Sequence, residues 1–223
     1  MSVAAKNITR IERKKAETRR RIMQAAYEIM SENGIDTTSI AHIADAADIG
    51  FGTFYNYFED KTDLASQVLD CVITDLGRRN DLATEKLKEV EPEAVQAISI
   101  RLTMREMLTN PMWHWWMRQP DLLVERMRLS FHPFGVRDLK IGIAAGRYNV
   151  QASDVETIWS QQMWMIVGGV NGMLNHQIDG LDEKKLICTI MRAMGVLPEQ
   201  VQKLAEMELP TLPAPNIDFS NRP

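Results

Sequence analysis

Apolar positions along the chain recur with the period of an α-helix almost from end to end. Ile22, Ala25, Ala26, Ile29 and Met30 stand at i, i+3, i+4, i+7 and i+8, the spacing of one amphipathic face. Asn33-Gly34 closes that helix, because Gly reaches the left-handed C′ conformation without a Cβ penalty. Ser39 is placed to cap a second, short helix that carries Ile40, Ile43, Ala44 and Ala47 at the same spacing. After the tight link Asp48-Ile49-Gly50, a third short segment is predicted from about Phe51 to Phe58. Asp60 then caps a long helix, with Asp63 as a capping-box partner and Leu64, Val68, Val72 and Leu76 as an i+4 stripe.

Further helices are predicted near 93–109, 111–118, 121–131 and 134–145, punctuated by Pro92, Pro111, Pro120 and Pro133. Ser153 and Glu156 have capping-box spacing for a helix that could reach Gln177. Leu181 to Met194 reads as another, closed by Gly195, and a short one follows Pro198. From Pro210 the chain holds four prolines in fourteen residues and is expected to be extended or disordered. No alternating β-branched run is long enough for a sheet, so the fold class is all-α. The organisation read from these signals is an N-terminal helix-turn-helix unit (1–60), a connecting helix (61–80), a helical body (81–209) and a Pro-rich tail (210–223).

Composition narrows the class. No segment of the 223 residues approaches the ~20 uninterrupted apolar residues of a membrane helix. The opening stretch has no apolar h-region of a secretion signal. Cys71 and Cys188 stand far apart with no metal-ligand spacing, which predicts neither a disulfide framework nor a metal site. The expectation is a cytoplasmic protein with no cofactor and no membrane contact. Charge is unevenly divided: residues 1–21 hold eight basic side chains against Glu12 and Glu17, a balance of +6. With −4 for the whole chain, the remainder carries −10. A basic end on an acidic body is suited to meeting a polyanion, although such a run is also the ordinary composition of a solvated helix face.

The chemistry concentrates between residues 39 and 61. Two helices of about two turns each are too short to stand alone, where roughly 12–15 residues are marginal, and must pack on the first and fourth helices. Ile43, Ala44, Ala47 and Ile49 supply a small apolar crossing. In a helix-turn-helix pair the second helix presents its N-terminal residues to the major groove. That helix begins Gly50-Phe51-Gly52-Thr53-Phe54-Tyr55-Asn56-Tyr57-Phe58. Gly52 permits close backbone approach to phosphate or base edges. Thr53 offers a hydroxyl and a methyl for a base edge or thymine methyl. Tyr55 and Tyr57 can donate to phosphates, Lys61 can pair with one, and Phe54 and Phe58 are spaced to hold the helix to the core. Helix pairs also occur in all-α proteins that never touch DNA, so a helical protein-interaction module stands as an alternative. An enzyme is the other alternative, though no Ser/His/Asp set, phosphate-cradling Gly loop or H-E-x-x-H is present.

Residues 38–58, followed by Lys61-Thr62-Asp63-Leu64, resemble the TetR family of one-component transcriptional regulators, a match that covers about residues 16–65. The resemblance implies a homodimer on a palindromic double-stranded DNA operator, usually acting as a repressor and released when a small-molecule effector enters the C-terminal domain. It implies that Ser39 contacts phosphate, that Phe51, Gly52 and Thr53 face bases, and that Tyr55, Tyr57 and Lys61 hold the backbone, with Gly50 and Asn56 in the same DNA-facing segment. Two positions depart from the family pattern. Asp48 stands where the turn commonly has Gly, and Gly50-Phe51 stand where Ser and a polar or basic residue are usual. Phe51 cannot make a bidentate base contact, so its readout is expected to be apolar.

In the body, Gly168, Gly169 and Gly172 lie inside a predicted helix, where each costs roughly 1 kcal/mol relative to Ala, which points to close backbone approach. By analogy with the family, that helix with Met173, together with Leu186, Ile190 and Met194 of the next, contributes to a dimer interface; intrachain packing is the alternative. Met104, Met107, Trp113, Trp116, Met117, Met127, Trp159, Met163 and Trp164 are the expected lining of an apolar effector cavity, with ordinary core as their alternative role. The expected effector is largely apolar or aromatic.

Overall fold

The structure, a computed structural model, describes residues 9–177 and 180–220. Its regular elements are helical. Helix α1 (Arg10–Asn33) starts at a closed capping box, in which the Glu12 amide donates to Thr9 Oγ1 (3.2 Å) and the Thr9 amide to Glu12 Oε2 (2.7 Å). It ends at Gly34, whose φ of 79° is positive as expected, although its ψ of 165° is extended and not left-handed helical, a combination open to Gly. The predicted Ser39 cap forms, accepting from the His42 amide (3.1 Å) at the start of α2 (Ile40–Ala46). Asp48 turns the chain with φ 52°, a conformation that Asp tolerates better than most residues. Helix α3 (Phe51–Phe54) is one turn, shorter than the predicted segment, and continues to Phe58 as a run of i+3 and i+4 bonds.

Helix α4 (Lys61–Thr84) is capped by Asp60, whose Oδ1 accepts from the Asp63 amide at 2.8 Å. Asp63 answers one residue farther back than a capping box requires, accepting from the Glu59 amide (3.0 Å). Helices α5 (Pro92–Thr109), α6 (Pro111–Trp116), α7 (Pro120–Ser130) and α8 (His132–Ala144) each carry Pro at their first or second position, so the prolines begin the helices they were read to punctuate. Helix α9 (Val155–Leu174) is entered through a short 3-10 turn. The capping box read from Ser153 and Glu156 does not form. Ser153 instead bonds Asp154, and Glu156 faces His132. Helices α10 (Glu183–Ala193) and α11 (Pro198–Glu206) complete the set, with Gly195 at φ 73° between them.

Helices α1, α2 and α3 form a small head packed on the first turns of α4, with Ile22, Met23, Ile43, Phe54, Phe58 and Leu64 buried between them. Helix α5 is buried on nearly every side, because α4, α8, α9, α10 and α11 all pack on it. Among the described residues no helix is long and apolar enough to cross a membrane.

Candidate nucleic-acid interface and effector cavity

The sequence between Ser39 and Phe58 divides cleanly by exposure. Phe54 and Phe58 are sealed in the core, their ring centroids 5.7 Å apart. Arg19 of α1 lies over the Phe58 ring and also bonds Gln67 of α4, which locks the head to the long helix. Ser39, Gly50, Phe51, Gly52, Tyr55 and Asn56 are exposed, while Thr53 and Tyr57 are half-buried. More than half of the Phe51 surface is open to solvent, and its ring meets Tyr55 edge-on at 5.7 Å. Tyr55 also meets the buried Phe54 ring edge-on at 5.4 Å, so the ledge is anchored to the core while its outer face is open. No atom stands within 4 Å of where a Cβ on Gly52 would be, so the backbone there is bare.

Cationic side chains border this ledge. Lys15 of α1, one of the cations of the basic N-terminal run, shares one surface depression with Asn56 and Tyr57, which lie two helices later in the chain. Arg13 and Lys14 are exposed on the same helix. Lys61 is placed otherwise than expected. Its ammonium donates to the carbonyls of Ile35 (2.8 Å), Thr38 (2.8 Å) and Asp36 (3.4 Å), so its three N–H groups are taken up in tying α4 to the α1–α2 turn. The sequence showed a cation at a helix start but not the three carbonyls that this turn directs at it. Replacing Thr53 by Ala is expected to change base preference more than total affinity, as read by selection from random duplexes; equal preference in both proteins would remove Thr53 from base readout.

In the body, a narrow cavity of about 50 Å³ lies between α4, α5, α8 and α9. Of the expected lining residues, Trp159 and Met163 are there. Met104, Met107, Trp113, Trp116, Met117 and Met127 are buried core away from it, and Trp164 is exposed. The aromatic walls come instead from Phe131 and Phe134 together with Trp159, and the polar edge from Asn80, Asp81, Gln96, Thr103 and Asp138. Asn80 donates to Thr103 Oγ1 (3.1 Å), and its buried Oδ1 is an acceptor with no partner among the described residues. Burial pushes the Asp138 carboxyl above the usual carboxylate range, and the adjacent Arg137 guanidinium (2.6 Å) only partly offsets this. Burial acts on Asp81 too, but hydrogen bonds from Arg137 and Lys88 outweigh it and hold that carboxyl low. Gly77 and Gly135 make the close packing possible: a Cβ at Gly77 would stand 2.7 Å from the Phe134 ring, and one at Gly135 2.2 Å from Trp159.

The residues read as a dimer interface separate as well. A Cβ at Gly169 would lie 2.2 Å from Leu186, so this glycine admits a helix of its own chain. Gly172, Leu186, Ile190 and Met194 are buried within the chain and Met173 is half-buried, which makes intrachain packing their observed role. Gly168 is open, on a strip of α9 with exposed Thr157, Gln161 and Trp164. Among the described residues no group of three or more His, Cys, Asp or Glu is placed to hold a metal.

Residues 22–68 match the model of bacterial regulatory proteins of the tetR family, and residues 91–206 match that of a tetracyclin repressor-like C-terminal domain. The chain is similar to the HTH-type transcriptional regulator AcrR of Shigella flexneri, with 36% identity over 61 residues, 27% of this chain and 28% of that protein. A further HTH-type transcriptional regulator, from Staphylococcus aureus, is 39% identical over 69 residues, 29% of this chain and 37% of that protein. These two alignments therefore span about a third of their relatives' length. Solved structures extend the likeness to the body. RolR without ligand has a TM-score of 0.77 at 26% identity, over 86% of this chain and 99% of that one. RolR in complex with resorcinol has a TM-score of 0.77 at 27% identity, over 90% and 99%.

Proposed function

Because the chain belongs to the tetR family of bacterial regulatory proteins, we propose that it is a transcriptional repressor that binds operator DNA through Gly50–Tyr57 and releases it when a small hydroxylated aromatic molecule enters the cavity. The observation that carries this reading is the course of α4. Its first residue, Lys61, is tied into the head, and Gly77, Asn80 and Asp81 of the same helix form one wall of the cavity. At 1.5 Å per residue these ends lie roughly 24 Å apart on a continuous rod.

Cavity size supports the release step. An apolar cavity of ~150 Å³ holds benzene, so a single ring has to push the walls of this one apart. Phe131 and Phe134 are the walls that bear on Gly77 of α4, and their displacement shifts the rod that positions the head. A ligand can move the equilibrium only by its difference in affinity for the two arrangements, and widening a cavity too small for it supplies that difference.

Cavity chemistry supports the ligand class. Three aromatic rings provide flat walls, while the unpartnered Asn80 oxygen and the Asp138 carboxylate are acceptors for hydroxyl donors. RolR, the relative with the same overall fold, has been captured with resorcinol. Isothermal titration with resorcinol, phenol and benzene tests the reading. Hydroxylated rings are expected to bind, with benzene at least about tenfold weaker because the buried acceptors go unpaired. Binding of aliphatic or highly charged compounds alone would replace this ligand class.

The sign of the pH dependence follows from Asp138. A hydroxyl donor needs the carboxylate, so binding is expected to be weak where Asp138 is protonated and to rise with pH through its elevated pKa, above the ordinary ~3.9. Asp138→Asn should flatten that rise; an unchanged profile would place the titration elsewhere. For the homodimer, the exposed α9 strip of Thr157, Gln161, Trp164 and Gly168 is the face we assign to the second copy, since the α10 apolar side chains are already used. A chain sedimenting as a monomer at duplex-binding concentrations would withdraw that assignment.

A further inference from the structure

Residues 207–220 have no helix or strand, yet they do not hang free. Leu209, Leu212 and Ile217 pack against the core, and Phe219 is 2% exposed. The segment is held chiefly by arginines. Arg101 of α5 donates to the Met207 carbonyl (2.6 Å), Arg79 of α4 to Pro213 (3.3 Å), and Arg78 of α4 to Asn216 (3.4 Å). Pro210, Pro213 and Pro215 have no N–H to offer, so the backbone of this stretch has more acceptors than donors, and guanidinium groups can donate to the surplus. Both α4 arginines are oriented by one buried carboxylate, Asp75, at 2.6 Å and 2.8 Å.

The far end of the segment reaches the head. The Phe219 ring lies 5.9 Å from that of Tyr27 on α1. Ser220 borders the same depression as Lys15, Arg19, Asn56 and Tyr57, beside the DNA-facing ledge. One stretch of chain thus begins on α5 and α11 of the body, crosses α4, and ends on α1. We propose that residues 207–220 are a strap that couples the effector domain to the head and sets the α1–α4 packing on which duplex binding depends. Effector-driven movement of α4 is transmitted through the strap as well as along the helix, because Arg78 and Arg79 carry the strap with them.

Cys71 serves as the reporter. It lines a groove with Asp75, Arg78, Asn216 and Asp218 of which the strap forms one side, and burial pushes its thiol up to about 11, so slow labelling is expected while the strap is seated. Phe219→Ala, Phe219→Leu and a chain ending at Pro210 are compared with the full chain on a duplex selected from random sequences. Maleimide labelling at Cys71 is followed by peptide mass, and helix content by circular dichroism. If unseating the strap leaves about one molecule in ten with the head correctly set, Phe219→Ala and the shortened chain bind the duplex about tenfold more weakly. Cys71 is expected to be labelled faster in both, and Phe219→Leu to stay near the parent in both readouts. Should the shortened chain fail to fold, the Phe219 pair decides alone. Duplex affinity within about twofold of the parent in folded Phe219→Ala, or Cys71 labelling unchanged in it, overturns the proposal.

Discussion

Gly52→Glu is expected to abolish measurable duplex recognition while leaving the fold intact. The position is exposed and the new Cβ enters open space, so the substitution is expected to be accepted by the fold. Its φ lies outside the left-handed region, and replacing Gly there should stabilise the protein by up to about 0.5–1 kcal/mol through reduced unfolded-state entropy. On the proposed reading, the same side chain is expected to set a carboxylate where the bare backbone at Gly52 approaches the duplex. We expect affinity to fall about 100-fold or more, or about 2.7 kcal/mol. Fluorescence anisotropy with a selected duplex, beside a thermal melt, separates the two effects. Near-parental binding by the folded variant would move the DNA-facing surface away from Gly50–Asn56.

Lys61→Ala is expected to do the opposite, costing stability without changing the electrostatics of binding. It removes three charge-assisted bonds to the carbonyls of Ile35, Asp36 and Thr38. Because Lys61 is only half-buried, water recovers part of the loss, and about 1–2 kcal/mol is a reasonable cost. For a chain of this size that lowers Tm by roughly 3–6 °C. A lysine on a phosphate would instead flatten the dependence of log affinity on log salt by about one unit. We expect an unchanged slope. A flattened slope with an unchanged Tm would restore Lys61 to the phosphate contacts.

The head was legible in the sequence because its signals are local. Ser39, Asp60 and Gly34 act through bonds or dihedrals within a few residues, and the structure forms both caps and ends α1 at Gly34. The buried pair Phe54 and Phe58 followed from i, i+4 spacing. The body was read less well, because its chemistry depends on which helices meet. Met and Trp content pointed to a cavity at Trp113 and Trp116, but both indoles are fully buried core. The polar edge was the better signal. Asn80, Gln96, Thr103 and Asp138 interrupt otherwise apolar helical faces, and all four are buried around one void. Gly169 was rightly read as a close approach, but spacing cannot say whether the partner helix belongs to the same chain.

The tail lacks helix and strand, as expected, but where it packs was not legible. Proline content describes a segment's own preference for extension and says nothing of the carbonyl acceptors it offers to arginines more than a hundred residues away. Its placement bears on attempts to retarget the protein. Grafting residues 1–60 from another regulator onto this body, the obvious cut between recognition and sensing, would leave Phe219 opposite a foreign residue in place of Tyr27. It would also leave Lys61 facing another protein's turn. On the strap proposal, a hybrid that keeps its response is expected to need residues 207–220 replaced together with the first sixty, which makes these two distant stretches one unit of exchange.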